Sequence, residues 1–292
     1  MLMSNNYPKN YEDFLKLFEF VDSEQNKFRY ICFRNIQLIK NVKLCENIQL
    51  NLEYEAVFIE FRNLPHIEFL IRNTILKLGN EWSFTIVCGK LNYTTIKDFC
   101  DTISPNIKII KMDHDNISIN QYNNLFFDIT FWDLFVGKTL FFYQEDSIIF
   151  KNNIKDFIGY DFIGAPYQMG VKRDPMIPYH SNGSFSIRKK ETLVKILKMD
   201  ISRVFFLNMQ WFHNSGEKLD NPSEDIFFTE AMLRLNFMGV IKNISYANKV
   251  DAIHFSTDEI VHSSSLGGHQ FWKNDKNWIK RMKYLVDNLP IS

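Results

Sequence analysis

The 292-residue chain lacks the marks of several large protein classes. Its four cysteines (Cys32, Cys45, Cys88 and Cys100) form no C-x-x-C pair, so we expect reduced, apolar cysteines and not a zinc knuckle or a disulfide framework. No stretch approaches the roughly 18 consecutive apolar residues that a transmembrane helix needs. Residues 1–10 also lack the apolar core of a secretory signal. We therefore expect a soluble, cytoplasmic protein with no membrane segment.

An excess of charge is absent as well. Lys plus Arg equals Asp plus Glu at 34 each, so the sequence predicts no broad basic surface for nucleic acid or for an anionic membrane. Residues 59–65, which follow the first predicted strand of the main domain, contain no glycine. This argues against a nucleotide-dependent methyltransferase or another doubly wound enzyme with a Gly-x-Gly loop.

What the chain has is enough apolar residues for a large core, with 46% hydrophobic residues and 28 Phe. Residues 1–52 are predicted to form an N-terminal extension. Within it, residues 11–21 have the pattern of an amphipathic helix, and residues 28–33 and 36–39 resemble two short strands of a candidate hairpin.

From residue 56 onward, apolar strands alternate with amphipathic helical patterns. We predict strands at 56–60, 82–87, 107–111, 140–143, 185–187 and 240–245, and helices at 66–78, 94–100, 123–135, 189–199 and 223–235, the last capped by Ser223. Residues 155–178 are predicted as loops, and no low-complexity linker divides the chain. The alternation predicts one α/β domain over 53–292, with a mixed, mostly parallel sheet and helices on both faces.

The strand at 140–143 leads directly into Gln144, Glu145 and Asp146. In an open α/β sheet, ligands bind beyond the carboxyl ends of the strands. An acidic side chain there is well placed to hold a divalent cation and, with it, a phosphate. The alternative is that these acids only begin a solvated loop.

Several segments, taken in order, resemble an uncharacterised glycosyltransferase-like family that is frequent in giant viruses. Its pattern includes an apolar strand ending on Glu, a Gln-x-Asp, a Tyr-Asp-Tyr-Ile-Gly-Ala-Pro-Trp, an Asn-Gly-Gly-x-Ser-x-Arg, a Glu-Asp-x-Phe and a late Gly-x-His. The matching segments here are Ala56-Val-Phe-Ile-Glu60, Gln144-Glu-Asp146, Tyr160-Asp-Phe-Ile-Gly-Ala-Pro-Tyr167, Asn182-Gly-Ser-Phe-Ser-Ile-Arg188, Glu224-Asp-Ile-Phe227 and Gly268-His-Gln-Phe-Trp272.

The resemblance implies a GT-A-like fold and a metal-dependent glycosyltransferase. Such an enzyme would move a sugar from a nucleotide-sugar donor, most simply a UDP-sugar, to a glycan or another hydroxyl acceptor, in the host cytoplasm if the chain is viral. Asp146 and His269 are the implied metal ligands, and an Asp–His pair suits Mn²⁺ better than Mg²⁺. The alternative for His269 is a loop histidine without a ligand role.

The same resemblance places catalysis at the start of the last predicted helix. Asp225, or else Glu224, would be the general base that deprotonates the acceptor, with inversion at the sugar. Two acids in the first turn of a helix are equally what the helix dipole favours.

Glu60, Arg62, Gln144, Asn182 and Gly183 are the implied donor-binding residues. Arg62 could instead form a surface salt bridge, and Asn182 with Gly183 could form a plain turn.

The chain departs from the family pattern at three positions, Glu145, Ser184 and Tyr167. These departures keep a second hypothesis open, a carbohydrate- or nucleotide-binding module without turnover. The sequence does not specify the sugar, the acceptor or the oligomeric state.

Overall fold

We describe a computed structural model of the chain that covers residues 7–44, 48–167, 178–199, 211–212, 216 and 218–291. Cys32, Cys88 and Cys100 are free and buried, as the sequence predicts. The predicted free thiol of Cys45 and residues 168–177 of the predicted loop region lie outside the described residues.

A six-stranded sheet organises the fold, with strand order β3-β2-β1-β4-β7-β6. β1 pairs in parallel with β2 and β4, β2 with β3, and β7 runs antiparallel between β4 and β6. A three-stranded sheet (β10-β11-β5) and a two-stranded sheet (β8-β9) accompany it. The strands are β1 (Tyr54–Glu60), β2 (Ser83–Cys88), β3 (Lys108–Lys111), β4 (Thr139–Tyr143), β5 (Ser147–Ile149), β6 (Phe162–Pro166), β7 (Ser181–Lys189), β8 (Trp211–Phe212), β9 (Lys218–Leu219), β10 (Ser256–Thr257) and β11 (Gly267–His269).

Helices cover both faces of this sheet. They are α1 (Tyr11–Leu17), α2 (Glu24–Arg34), α3 (Ile36–Lys40), α4 (Ile67–Leu78), α5 (Tyr93–Ile103), α6 (Ile119–Leu125), α7 (Ile129–Asp133), α8 (Lys190–Leu197), α9 (Glu224–Phe237), α10 (Lys249–Phe255) and α11 (Trp278–Asp287). Successive side chains of a strand point to opposite faces, and β1 shows the result. Phe58 packs in one core with Ile71 of α4, whereas Val57 packs in another with Phe228 of α9. The predicted α/β class with a mixed, mostly parallel sheet is confirmed.

Most of the predicted elements of the main domain are present. The strands predicted at 56–60, 82–87, 107–111, 140–143 and 185–187 correspond to β1, β2, β3, β4 and β7, and the helices predicted at 66–78, 94–100, 189–199 and 223–235 to α4, α5, α8 and α9. These elements combine a clear hydrophobic periodicity with flanking turn residues, and this pattern is the strongest sequence signal of secondary structure.

The predicted hairpin at 28–39 is wrong, because these residues form α2 and α3. Ser23 caps α2 by accepting a hydrogen bond from the Asn26 backbone amide at 3.1 Å. Phe28 and Cys32 are buried, as are Arg29 and Phe33, and the spacing of four residues within each pair is helical. The short aromatic runs fit a strand equally well when they are taken in isolation.

Four further predictions differ from the structure. The helix predicted at 123–135 is divided into α6 and α7, because Asp128 has extended backbone geometry and caps α7. Ser223 precedes α9 but makes no side-chain cap, and the Asn123 side chain accepts a hydrogen bond from the first helical amide instead, at 2.6 Å. Residues 240–245 form no strand, since Asn243 adopts a φ of 64° and Ser245 donates to a side chain, that of Asp161. Residues 162–166, predicted as loop, form β6.

The N-terminal helices share a core with the C-terminal part of the chain. Phe28 of α2 stacks on Trp272, with ring centroids 4.8 Å apart, and belongs to one apolar cluster with Phe69 of α4 and Met282 of α11. None of the described helices combines the length and the apolar character that crossing a membrane requires.

A buried carboxylate fixes the start of β4 against β1. The Oε2 atom of Glu55 accepts hydrogen bonds from the amides of Val136 and Gly137 at 2.6 and 2.7 Å. A Cβ atom on Gly137 would lie 2.6 Å from the Glu55 Cβ atom and 2.9 Å from its amide nitrogen. Only glycine therefore allows this close approach, which sets the position of the strand that carries Asp146.

We expect Gly137→Ala to lower the free energy of unfolding by about 1–3 kcal/mol, because the added methyl group must displace backbone. Urea unfolding measures this loss. Gly159→Ala is the matched control, since its new Cβ atom would meet nothing within 4 Å, and its effect should be within about 1 kcal/mol. Equal effects of the two substitutions would contradict the close approach.

Candidate active site

The predicted site residues gather at the carboxyl ends of β1 and β4 and at the start of the antiparallel strand β7. Asp146 follows β4, and β5 begins at the next residue. β5 pairs antiparallel with β11 in a register that sets His269 opposite Ser147. This pairing brings together the two predicted metal ligands, which are far apart in the sequence.

Asp146 and His269 face each other inside the protein. The His269 Nε2 atom lies 3.4 Å from the Asp146 Oδ1 atom, and both residues are 6% exposed. The Asp146 Oδ2 atom accepts a hydrogen bond from the Gln270 side chain at 2.7 Å. The Oδ1 atom is buried and makes no hydrogen bond within the described residues, which is uncommon for a carboxylate.

A second carboxylate, which the sequence analysis missed, orients the histidine. The Asp258 Oδ2 atom lies 2.9 Å from His269 Nδ1. It also accepts a hydrogen bond from the side-chain amide of Asn182 at 3.1 Å. Burial alone would lower the pKa of His269, but the carboxylates of Asp146 and Asp258 raise it to about 10. Asp258 directly follows β10, a strand of two residues that is too short for a sequence pattern to indicate, so no signal in the sequence marked this carboxylate.

This arrangement fits a divalent cation. Without a metal ion, the raised pKa keeps His269 protonated at neutral pH, and its Nε2 atom forms an ion pair with Asp146 Oδ1. A cation bound between these two atoms would take the place of the Nε2 proton. A carboxylate behind a histidine is the usual support for a metal-binding imidazole. In the described part of the chain no group of three or more His, Cys, Asp and Glu side chains could hold a metal ion. The protein would therefore supply two ligands, and phosphate oxygens or water the others.

Glu145 does not face solvent but is 2% exposed. Its carboxylate accepts hydrogen bonds from Arg29 at 2.5 and 3.1 Å, and from Gln25 at 2.9 Å and Arg62 at 3.2 Å. The His66 Nε2 atom lies 3.2 Å from the Oε2 atom. Burial opposes ionisation, but His66 and Arg29 hold the pKa of Glu145 well below its usual range. Gln25 and Arg29 lie on α2, so the N-terminal segment reaches the site.

Arg62 and Glu60 form a pair at the end of β1. The Glu60 carboxylate accepts hydrogen bonds from Arg62 Nε and Nη2 at 2.9 and 2.7 Å. The Arg62 side chain is 47% exposed. Within the described residues, its hydrogen bonds are made by the backbone amide, Nε and Nη2, and none is made by Nη1. Glu60 thus orients a guanidinium group whose outer edge is open to an anion.

Asn182 and Gly183 contact protein groups where the sequence analysis expected a sugar. The Asn182 amide donates to Asp258, and its oxygen accepts a hydrogen bond from the Ser184 backbone at 2.7 Å. A Cβ atom on Gly183 would lie 2.3 Å from a carboxylate oxygen of Glu224 and 2.4 Å from a guanidinium nitrogen of Arg188. Glycine is needed here for a buried ion pair, and the close approach of Gly183 to a sugar stays a prediction.

The two candidate bases have different surroundings. Glu224 forms a two-bond ion pair with Arg188 at 2.6 and 2.9 Å. Arg188 is fully buried among the rings of Phe126, Phe142 and Phe162. This pair occupies the Glu224 carboxylate, so Glu224 is poorly placed to accept a proton from an acceptor.

Within the described residues, Asp225 accepts hydrogen bonds from neutral donors, including the Ile226 amide to its Oδ1 atom at 2.8 Å. Its Oδ2 atom accepts hydrogen bonds from the Tyr167 hydroxyl at 2.6 Å and from the Gly183 amide at 3.1 Å. Burial and the Asp225 charge raise the pKa of Tyr167 well above its usual value, so the hydroxyl stays protonated and donates. The Asn182–Gly183 segment therefore links Asp225 on one side with Asp258 and His269 on the other.

Gln144 directly follows β4. It is half-buried and its side chain interacts with the Tyr122 hydroxyl, whose pKa is raised mainly by burial and also by the charge of Glu224. The charge of Asp146 also acts on Tyr122. Tyr122, on α6, is thus a further residue near both acidic groups that sequence patterns did not single out.

A family model described as "Protein of unknown function (DUF5672)" matches residues 106–270. The matched range includes Asp146, Asp225 and His269 but not Arg29 or Arg62. A comparison with curated proteins found no match.

Solved structures with a related fold are distant in sequence. A mannosyltransferase from Pyrobaculum calidifontis, PcManGT in complex with GDP-Man and Mn²⁺, is 11% identical with a TM-score of 0.41, over 77% of this chain and 64% of that one. The apo-form glycosyltransferase GlyE of Streptococcus pneumoniae TIGR4 is 9% identical, with a TM-score of 0.45 over 80% and 62%. An inositol-1-phosphate CTP transferase from T. maritima is 9% identical, with a TM-score of 0.44 over 82% and 99%. This chain thus spans less than two thirds of either glycosyltransferase.

We expect Arg188→Met to lower the free energy of unfolding by about 3–5 kcal/mol, because it leaves the Glu224 carboxylate buried without its counter-charge. Denaturant unfolding measures the loss. Lys97→Gln removes an exposed ion pair with Asp101 and should cost less than about 1 kcal/mol. Similar losses for both variants would show that the buried pair has no structural role.

Proposed function

The chain belongs to the DUF5672 family, and we propose that it is a metal-dependent glycosyltransferase. In this proposal it moves a sugar from a nucleotide-sugar donor, most simply a UDP-sugar, to a hydroxyl acceptor. One observation carries the proposal: a buried oxygen of Asp146, which makes no hydrogen bond within the described residues, lies 3.4 Å from the nitrogen of a histidine that Asp258 orients from behind. A buried oxygen without a hydrogen bond costs stability, and a bound ion is one way in which such an oxygen is satisfied.

Asp146 and His269 would hold Mn²⁺ or Mg²⁺, and the mixed oxygen and nitrogen ligands favour Mn²⁺. When bound, the cation supplies positive charge that offsets the charge of the nucleoside diphosphate leaving group. Arg62 supports the same task, because Glu60 fixes its guanidinium beside the cation site and its Nη1 edge is available to a phosphate oxygen.

Asp225 would be the general base. It accepts the proton of the acceptor hydroxyl while the acceptor oxygen forms a bond to the anomeric carbon. The bond between that carbon and the phosphate oxygen breaks, and the electron pair leaves with the nucleoside diphosphate. Attack opposite the leaving group inverts the anomeric centre. The Tyr167 hydroxyl and the Gly183 amide hold the Asp225 carboxylate in one orientation for this step.

The test is a panel of nucleotide sugars with and without Mn²⁺, read by thermal shift and by release of nucleoside diphosphate. We expect one donor class to raise the melting temperature in an Mn²⁺-dependent way and to be turned over. A Mn²⁺-dependent shift without release for any acceptor would favour the binding module instead. No shift with any donor would contradict both.

With that donor, we expect Asp146→Asn to abolish Mn²⁺-dependent turnover and to weaken Mn²⁺ binding, because the amide replaces a charged oxygen ligand. Its melting temperature should stay near that of the wild type, since the Gln270 contact can persist. Asp225→Asn should retain the Mn²⁺-dependent donor shift while release falls by at least about 100-fold, the usual contribution of a general base. Asp101→Asn is the surface control. Undiminished turnover in Asp146→Asn would remove the metal role from this residue.

A further inference from the structure

We propose that Arg29, on the N-terminal helix α2, is a positioning residue of the cation site and acts through Glu145. This inference rests on the proposed function, because it assigns a role toward the cation that Asp146 would bind. Arg29 lies outside the segment matched by the family model, residues 106–270.

The residues that carry Asp146 need support from outside the sheet. β4 ends at Tyr143 and β5 begins at Ser147, so residues 144–146 form a turn without ladder hydrogen bonds to a neighbouring strand. His66 and Gln270 hold its backbone instead: the His66 Nε2 atom lies 2.8 Å from the Glu145 carbonyl oxygen, and the Gln270 amide donates to the Asp146 carbonyl at 2.9 Å. The side chain of Glu145 provides a further anchor.

Arg29 holds the Glu145 side chain in place through a buried ion pair. Its Nε and Nη2 atoms contact the two Glu145 oxygens at 3.1 and 2.5 Å, in the parallel fork that a guanidinium offers to a carboxylate. Its Nη1 atom donates to Asn26, one helical turn earlier, at 2.8 Å. The Arg29 side chain is 9% exposed, so it is fixed at both ends and shielded from water.

Arg29 also determines how strongly Glu145 attracts Arg62. Glu145 carries one negative charge, and both guanidinium groups contact its Oε1 atom, Arg29 at 2.5 Å and Arg62 at 3.2 Å. With Arg29 in place, the shorter contact belongs to the buried arginine, and the exposed Arg62 keeps an edge for the donor. Without Arg29, Glu145 would draw Arg62 inward, and the turn bearing Asp146 would lose its anchor. Both changes weaken the site for a cation and a diphosphate.

The experiment is a double-mutant cycle of Arg29→Gln and Glu145→Gln in the full chain. The affinity for Mn²⁺ in the presence of UDP is measured by electron paramagnetic resonance, beside the melting temperature. Support of this kind behind a metal ligand is typically worth 10–100-fold in affinity, so we expect Arg29→Gln to weaken Mn²⁺ binding by about that factor. If Arg29 acts through Glu145, the double variant binds about as weakly as the single variants and the effects do not multiply.

Arg29→Lys keeps the charge but loses the fork, so its affinity should lie between those of the wild type and Arg29→Gln. This variant also serves if Arg29→Gln fails to fold. Lys27→Gln is the matched control on the same helix, where it removes an exposed ion pair with Glu24, and its affinity should equal that of the wild type.

The outcomes separate this inference from the proposed function. A wild type that binds no Mn²⁺ with UDP overturns both. A wild type that binds it, with unchanged affinity in Arg29→Gln and Arg29→Lys and only a lower melting temperature, overturns the positioning role alone.

Discussion

The antiparallel pairing of β5 with β11 is the contact on which the candidate site depends. It places His269 opposite Ser147 and therefore beside Asp146. The two residues are far apart in the sequence, so this strand pairing is what brings them together. Gly267 of β11 makes this pairing possible, since a Cβ atom on it would lie 2.5 Å from a carbonyl oxygen of β5, that of Ile148. The Asp258 and Gln270 side chains then orient the pair from both sides.

The strands of the sheet could be predicted from the sequence more fully than the residues of the site. The parallel strands could be predicted because they are buried on both faces and read as continuous apolar runs. Asp146 could be predicted as well, since a carboxylate after such a strand lies at the ligand-binding edge. The role of Asp258 depends on its contact with His269 across two short strands, and strands of two or three residues carry no period that a sequence pattern can show.

The N-terminal segment also shows how far sequence patterns can predict the site. Its short aromatic runs predict a hairpin, and on a strand Arg29 would be one more polar residue. On α2 it points into the protein beside Asn26, and the carboxylate it meets is Glu145. Glu145 is itself a departure from the family pattern, and Arg29 explains how an acid is accommodated there. The position of Gly183 beside the Arg188–Glu224 pair was likewise invisible, because a required glycine looks the same in a turn and in a close packing contact.

The central claim is that Asp146 and His269 hold one cation. Anomalous diffraction at the manganese edge, from crystals grown with Mn²⁺ and UDP, tests it most directly. We expect a single strong anomalous peak within coordination distance of both Asp146 Oδ1 and His269 Nε2, with phosphate oxygens completing the coordination shell of the manganese ion. Crystals that contain UDP but show no peak between these two side chains, or show the metal elsewhere, would contradict it.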